Sequence, residues 1–589
     1  MQFAQTKRSL YALLIFTTAL FFSCQKEFSI DNGSALQPPD LSAKVNSSVS
    51  GFVTDENNTA VMGATVQFGT STITTDKYGY FEAKNVQVVK TAAVVTVIKP
   101  GYFKGIKTYI AAEGKAAFFR IKLILKTNIG NINGTNGGAV TLANGLSIAL
   151  PAGAVVNAAT NSAYTGTVNI AASWINPVAA DLNSIMPGDL RGIDKDGALK
   201  LLQTFGMAAV ELTGASGELL QVAPGKKATL SLSIPASLVS SAPATIPLWY
   251  FDEAKGLWKE EGSATKTGST YTGEVSHFSF WNYDVPNNLV LFNCTLKDIA
   301  GNPIPYAFVR VTIAGTGISG CGYTDASGYV GGAVPNNAQL ILDVYPTYNC
   351  SSSVYTQPFT TTTVNISLGV ITVTNNLMAI VSGTVTNCFN IPVSNGYVLM
   401  SEGSYYSRYN LSNTGTFSFS TLLCTNNVPV TIMVQDLTAL QASSPLPYTL
   451  AYGNNAVGNI AACGTQIQEY VNYSINGVNY SMASPPDNIN ETGYGTNNIF
   501  INASAGNTFV GIQYYRPNTP LSIPGNLTGF MSSHINDSIT IATPIPVNIT
   551  EFGNIGQHVS GNFSGILTSM INPTVTYNVT CNFRTKRNY

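Results

Sequence analysis

The side chains able to do acid–base work near neutral pH are few. The chain has three histidines, His277, His534 and His558. His277 stands in Val275-Ser276-His277-Phe278-Ser279-Phe280-Trp281, on the strand face opposite Phe278 and Phe280. A structural or solvent-facing imidazole is expected there. His534 and His558 are 24 positions apart. There is no His-Glu-x-x-His pair, no Gly-x-Ser-x-Gly elbow and no phosphate-binding glycine loop. The eight cysteines contain no Cys-x-x-Cys pair, which argues against zinc and against redox catalysis.

Two acidic pairs remain. Asp194 and Asp196 precede Gly197, but a calcium loop needs further oxygen ligands, and Ala198-Leu199-Lys200-Leu201-Leu202 supplies none. A hairpin turn is the expectation. Glu260-Glu261 follows Trp258; adjacent strand residues point apart, and no second carboxylate can be placed opposite, so a solvated edge is expected. The one site-like feature is aromatic. All four tryptophans, Trp174, Trp249, Trp258 and Trp281, fall in one stretch. Trp249 and Trp258 flank the Asp252–Gly256 turn and could form a platform that stacks on sugar rings. The competing reading is that they fill a core or make cross-strand pairs. No enzyme, metal or cofactor is expected.

The elements that position these residues are written as a repeat. Gly51-Phe52-Val53-Thr54-Asp55, Ala64-Thr65-Val66 and Thr75-Asp76-Lys77-Tyr78-Gly79-Tyr80-Phe81 form the first copy. Cys294 to Asp298, Pro303 to Val309 and Thr324 to Val330 form the second. Gly383 to Asn387, Pro392 to Val398 and Asn413 to Phe417 form the third. Val49, Gly51 and Val53 share one strand face, and the Asp-x-x-Gly step lets Gly79, Gly328 or Gly415 take a positive φ in a tight hairpin. In the third copy Ser412 replaces the acid; in the first, Ala60 replaces the proline. The combination resembles the carboxypeptidase regulatory-like domain, a small transthyretin-like β-sandwich. That resemblance implies packing and binding modules without catalytic residues of their own.

The fold class expected is all-β, a string of Ig-like or transthyretin-like β-sandwich domains. Repeats occupy 48–126, 288–374 and 377–465, with a last β domain at 466–589. Residues 137–285 do not repeat the motif; Gly145-Leu146-Ser147-Ile148-Ala149-Leu150-Pro151-Ala152-Gly153 resembles the start of a ZU5-like β domain. No long amphipathic helix is evident, and Leu437–Ser443 is the best candidate. Charged residues make up 10% of the chain and net charge is −1. No Lys/Arg stripe offers a nucleic-acid footprint.

Disulfides follow from the cysteine positions. Cys294 takes the place of Gly51 and Gly383, and Cys581 lies between Val579 and Phe583, so both read as core residues. That leaves Cys321 with Cys350 in the second repeat. In the third, Cys388, Cys424 and Cys463 allow three pairings, with Cys388–Cys424 as the expectation.

Residues 1–23 read as a signal peptide: Lys7 and Arg8, then the apolar run Leu10 to Phe22. Ser23-Cys24 resembles the bacterial lipoprotein junction, which implies lipidation of Cys24 and a 24–47 tether. Gln25-Lys26-Glu27 is similar to a charged export tag. The expected protein is a non-enzymatic surface lipoprotein of the outer membrane, structural, adhesive or binding extracellular polysaccharide or protein. The alternative is a glycan-binding accessory lipoprotein of an outer-membrane uptake system.

Overall fold

The computed structural model describes residues 39–588, except 375–376, 440, 464, 467–468, 485–486, 495–496, 507, 517–524, 536 and 553–557. The signal segment, Cys24 and the tether up to residue 38 lie outside the described residues. The chain is all-β, a string of β-sandwich domains.

The three repeats fold alike. In the first, Lys44–Thr54 lies between Tyr80–Val89, antiparallel, and Ala116–Lys122, parallel. The facing sheet runs Ser71–Thr74, Thr65–Phe68, Ala93–Ile98, Gly105–Tyr109. The second repeats this with Leu289–Lys297 central between Tyr329–Pro335 and Ile366–Thr372. The third does so with Met378–Asn387 between Thr416–Leu422 and Gly453–Ala462. A parallel neighbour cannot be joined by a hairpin, so the chain crosses to the second sheet and back.

The motif residues hold the turns. Asp76 Oδ1 accepts the amides of Tyr78 and Tyr80 at 2.8 and 2.9 Å. Asp325 Oδ1 accepts those of Ser327 and Tyr329 at the same distances. Ser412 Oγ does this for Thr414 and Thr416 at 3.3 and 3.1 Å. The following glycines sit at φ 74°, 80° and 74°, and a Cβ at Gly79 would collide with the Val53 carbonyl. The glycine is therefore required by backbone shape and by close approach together.

Between the first two repeats the strands from Asn128–Asn133 to Phe280–Asn287 form one branched 13-stranded sheet. A short helix, Leu182–Ile185, interrupts it. In the candidate helix Leu437–Ser443 the described residues instead form a turn at 437–439 and the short strand Gln441–Ala442, paired to Val428–Asp436. The C-terminal strands, Glu469–Ile475 to Thr576–Lys586, form a ten-stranded sheet with its own core.

Candidate functional site: an aromatic seam between the repeats

The predicted glycan platform is not a surface. Trp249 and Trp258 are both 0% exposed, in a core with Phe103, Ile106, Phe251 and Phe280. Their indole Nε1–H groups donate to the Asp284 and Asp189 carbonyls at 3.2 and 2.9 Å. The first repeat supplies Phe103 and Ile106, so this face of the hairpin is covered by a neighbouring domain. Neither ring can stack on a sugar.

The disulfide expectations also need correction. Cys350 pairs with Cys424 and Cys388 with Cys463, whereas Cys321 is a free, half-buried thiol. The Cys350 loop turns toward the third repeat, where Thr347 Oγ1 lies 3.4 Å from Cys350 Sγ and 3.9 Å from Cys424 Sγ. The bond thus crosses between repeats. Cys294 and Cys581 are free and buried, at 1% and 2% exposure.

The remaining candidates are structural. Asp194 Oδ1 accepts the amides of Asp196 and Ala198, closing a hairpin turn. Glu260 accepts the Lys195 amide, and Glu261 accepts the Ser276 hydroxyl. His277 packs against Tyr250 and Trp281, 4.6 and 5.2 Å between ring centroids, and burial pushes its pKa down. His534 stacks on Tyr480 at 3.8 Å, its Nδ1 3.1 Å from the Tyr473 hydroxyl. Among the described residues, no group of three or more His, Cys, Asp or Glu is gathered for a metal.

The constructed feature is where the three repeats meet. Strand alternation sends Val49, Val53, Phe81 and Ile121 into the core of the first repeat and leaves Phe52, Tyr80 and Phe118 outside. These three rings are nevertheless buried, against Phe308 and Tyr323 of the second repeat and Tyr397 and Leu399 of the third. Phe118 is 4.4 Å from Tyr306 and 5.9 Å from Tyr323, centroid to centroid.

Two arginines thread the seam in opposite directions. Arg120, from the first repeat, places its guanidinium 3.4 Å from the Tyr405 ring and 5.3 Å from Phe52 and Phe118. Its Nη2 donates to the Tyr406 carbonyl at 2.8 Å. Arg408, from the third repeat, lies 3.8 Å over Tyr397 and 4.3 Å over Tyr80, with Glu82 at 4.0 Å. Burial raises the phenols of Tyr80, Tyr323 and Tyr397, keeping them neutral; Tyr78 is pushed up to about 12. The seam joins the three repeats through aromatic and cation–π contacts.

The first repeat touches every other part. Lys107 Nζ donates to the Asn183 and Met186 carbonyls at 2.5 and 2.7 Å, at the end of the short helix. Arg191 of the middle domain donates from Nη1 to the Thr91 carbonyl at 2.6 Å. Thr74 Oγ1 accepts from Asn472 and Asn582 of the C-terminal domain at 3.3 and 2.9 Å.

These features define a class: a multi-domain β-sandwich chain whose repeats are docked face to face and cross-linked. No protein-family model matches the chain. Over 115 residues, 19% of its length, it is 32% identical to cartilage intermediate layer protein 2 of Homo sapiens, of which the match covers 10%. Over 106 residues it is 34% identical to the Mus musculus protein, covering 9% of it. The match thus spans about a tenth of these curated relatives. Solved structures with some likeness include the shaft pilin SpaA of Lactobacillus rhamnosus GG, at 9% identity and TM-score 0.17, over 30% of this chain and 98% of that one. Another is the Bacillus anthracis TIE protein, at 10% identity and TM-score 0.15, over 59% of this chain and 71% of that one. Superpositions that loose say nothing about function.

Proposed function

We propose that the chain is a non-catalytic scaffold of the cell surface, anchored in the outer membrane through lipid on Cys24, that displays or adheres to extracellular polymer. The observation that supports this reading is the docking of every domain on the first repeat, with Cys350–Cys424 tying the second repeat to the third. Independent binding modules on flexible linkers would not bury Phe52, Tyr80 and Phe118 between them. A rigid assembly held at one end suits spacing and display. Its disulfides suit an oxidising, exported location. Its low charge leaves little long-range steering of ionic partners.

The test compares bacteria with and without the chain. Protease added to whole cells is expected to cleave it, and Cys24→Ser to move it out of the membrane fraction. Retention of cells on a matrix of extracellular polysaccharide or protein is expected to fall when the chain is removed. Unchanged membrane attachment in Cys24→Ser overturns the anchor. Unchanged retention overturns adhesion. Hydrolysis of peptide, ester or glycoside by the purified chain, abolished by one substitution, overturns the non-catalytic reading.

A further inference from the structure

In each repeat the first and last strands are neighbours and run parallel. The first repeat aligns Ser48 to Thr54 with Ala116 to Lys122, pair by pair. The second aligns Phe292 to Lys297 with Ile366 to Thr372, across one register shift. The third aligns Ala379 to Asn387 with Gly453 to Ala462, again across one shift. Tension along the chain enters a repeat through its first strand and leaves through its last. It pulls the first strand backward and the last strand forward, so the two must slide past each other. The ladder bonds between them are evenly spaced and lie across the pull, so they are loaded together. Resistance to forced unfolding is set by the barrier to opening, and a ladder that must fail all at once raises it.

The C-terminal domain is built the opposite way. Its first and last strands, Glu469–Ile475 and Thr576–Lys586, are antiparallel neighbours, with Tyr470 opposite Arg584. The chain therefore enters and leaves at the same end. Tension there opens one pair at a time, as a zipper opens.

The third repeat has a further device. Asn387 and Ala462 are the last pair of its parallel ladder, and the residues that follow them, Cys388 and Cys463, are bonded. Load arriving along Met378–Asn387 crosses this bond and leaves at Cys463, bypassing the 75 positions between. Met378–Asn387 is already an extended strand, so the third repeat has no slack to give. Cys350–Cys424 adds a second load path from the second repeat. Leu423 donates its amide to the Leu377 carbonyl at 2.9 Å, so this bond arrives beside the point where the chain itself enters the third repeat.

We propose that the three repeats are a tension-bearing series, in which parallel terminal strands act as clamps and Cys388–Cys463 makes the third repeat inextensible. The load is the drag on a cell held by extracellular polymer. That source of tension rests on the surface anchorage and adhesion proposed above; the mechanical property does not.

The experiment pulls the full purified chain by a handle at each end in a single-molecule force instrument, oxidised and then reduced. The C-terminal domain, with Glu469 and Lys586 117 positions apart, should open at lower force than any repeat. Oxidised chains should show no step of 75 positions, because Cys350–Cys424 cuts short the step of the second repeat and Cys388–Cys463 that of the third. Reduction should add two such steps, each about 250–270 Å at ~3.3–3.6 Å per residue. One belongs to the third repeat and one to the second, whose last ladder pair, Lys297 and Thr372, is also 75 positions apart.

Two variants separate the clamp from general stability. Ser48 donates its amide to the Lys115 carbonyl at 3.1 Å, and Leu123 donates to the Thr54 carbonyl at 2.8 Å. Parallel alternation between them directs the Ala117 amide to the first strand. Ala117→Pro removes that ladder bond and should lower the force at which the first repeat opens. Val95→Ala, 0% exposed in the facing sheet, lies off the load path. It should lower the denaturant midpoint and spare the opening force. The proposal is overturned if the repeats open at or below the force of the C-terminal domain, if oxidised chains show the 75-position step, or if Val95→Ala lowers the opening force as much as Ala117→Pro. Should Ala117→Pro fail to fold, the order of opening and the effect of reduction still decide. These outcomes do not depend on lipid, so failure of the anchor in Cys24→Ser and failure of the clamp are read separately.

Discussion

Replacing Phe118 by alanine tests whether the seam is a docking interface separate from the cores it joins. Phe118 is 4% exposed, yet it points out of the first repeat, while Ile121 on the same strand points in. Truncating a buried phenylalanine costs about 3–5 kcal/mol. Here the cost falls on docking, because the ring packs on Tyr306 and Tyr323 of the second repeat as well as on Phe52. About 4 kcal/mol is close to a thousandfold at 1.4 kcal/mol per decade. The protein carries its own reporters. Cys321 is a free thiol on Ser319–Tyr323, two residues before Tyr323 and packed against the seam; burial pushes its thiol up to about 11. Cys294 and Cys581 are free thiols inside two different cores. Labelling with a thiol reagent under native conditions should therefore be slow at Cys321 and limited by opening of the seam. In Phe118→Ala it should accelerate on the order of a hundredfold to a thousandfold at Cys321 alone. Equal acceleration at Cys294 would mean that Phe118 supports folding of the repeats themselves. No change at Cys321 would mean that the repeats do not dock through these rings. Either result refutes the reasoning.

Non-reducing peptide mapping should return Cys350–Cys424 and Cys388–Cys463, with Cys321 alkylated; a Cys321–Cys350 peptide would contradict the cross-repeat link. Cys350→Ser should cost about 4–5 kcal/mol in the chain-entropy model for a separation of 74 residues, read from denaturant midpoints. Asp284 is 0% exposed, and burial raises its pKa well above 3.8, so the folded state favours the protonated acid. That contribution is present below the ordinary carboxyl value and is lost as pH rises through the folded one. The stability advantage of Asp284→Asn over wild type should therefore grow with pH above about 4; an advantage independent of pH would refute it. Replacing Arg120 and Arg408 together by methionine should change overall stability by only about 1–2 kcal/mol but broaden docking, so that Cys321 labels in more than one phase; a single unchanged phase would show that the arginines do not set the register.

The repeat was legible because its signals are local. An acid or serine three residues before a glycine specifies one hairpin, and the alternation Val49, Gly51, Val53 specifies one buried face. Cys294 and Cys581 were legible for the same reason, as small or apolar members of a strand face. Trp249 and Trp258 were not. Their hairpin can be read from the sequence, but what covers it is Phe103 and Ile106, some 150 positions away. The cysteine pairing failed through the assumption that each repeat closes its own bonds. With Cys294 in a core, the second repeat keeps two cysteines and the third has three, and an odd total already calls for a bond or a free thiol that intra-repeat pairing does not determine. The seam did leave a trace. Gly51-Phe52-Val53, Tyr80-Phe81 and Phe118-Phe119 are apolar on both faces, and such a strand must be covered on both sides.

Three sandwiches of the same topology pose a problem of register. A seam of phenylalanine and tyrosine alone can be repacked in several ways at small cost, because apolar surfaces tolerate exchange of volume. The arginines restrict that freedom. A guanidinium must lie flat on a ring and reach a carbonyl or carboxylate, or its burial is costly. Arg120 lies closest over Tyr405 and reaches the Tyr406 carbonyl, both of the third repeat, with Phe52, Phe118 and Tyr323 farther off. Arg408 lies over Tyr80 of the first repeat with Glu82 4.0 Å away, beyond its own Tyr397. The two contacts are reciprocal, so neither repeat can shift without stranding both cations. The arginine of the second repeat is used differently: Arg310 lies over its own Phe308 and Tyr345, at 5.6 and 4.8 Å. That repeat depends instead on Phe118 lodged between Tyr306 and Tyr323, and on Cys350–Cys424. Charge fixes the first repeat to the third, and a covalent bond fixes the second to the third, so one arrangement of three similar domains is selected from many.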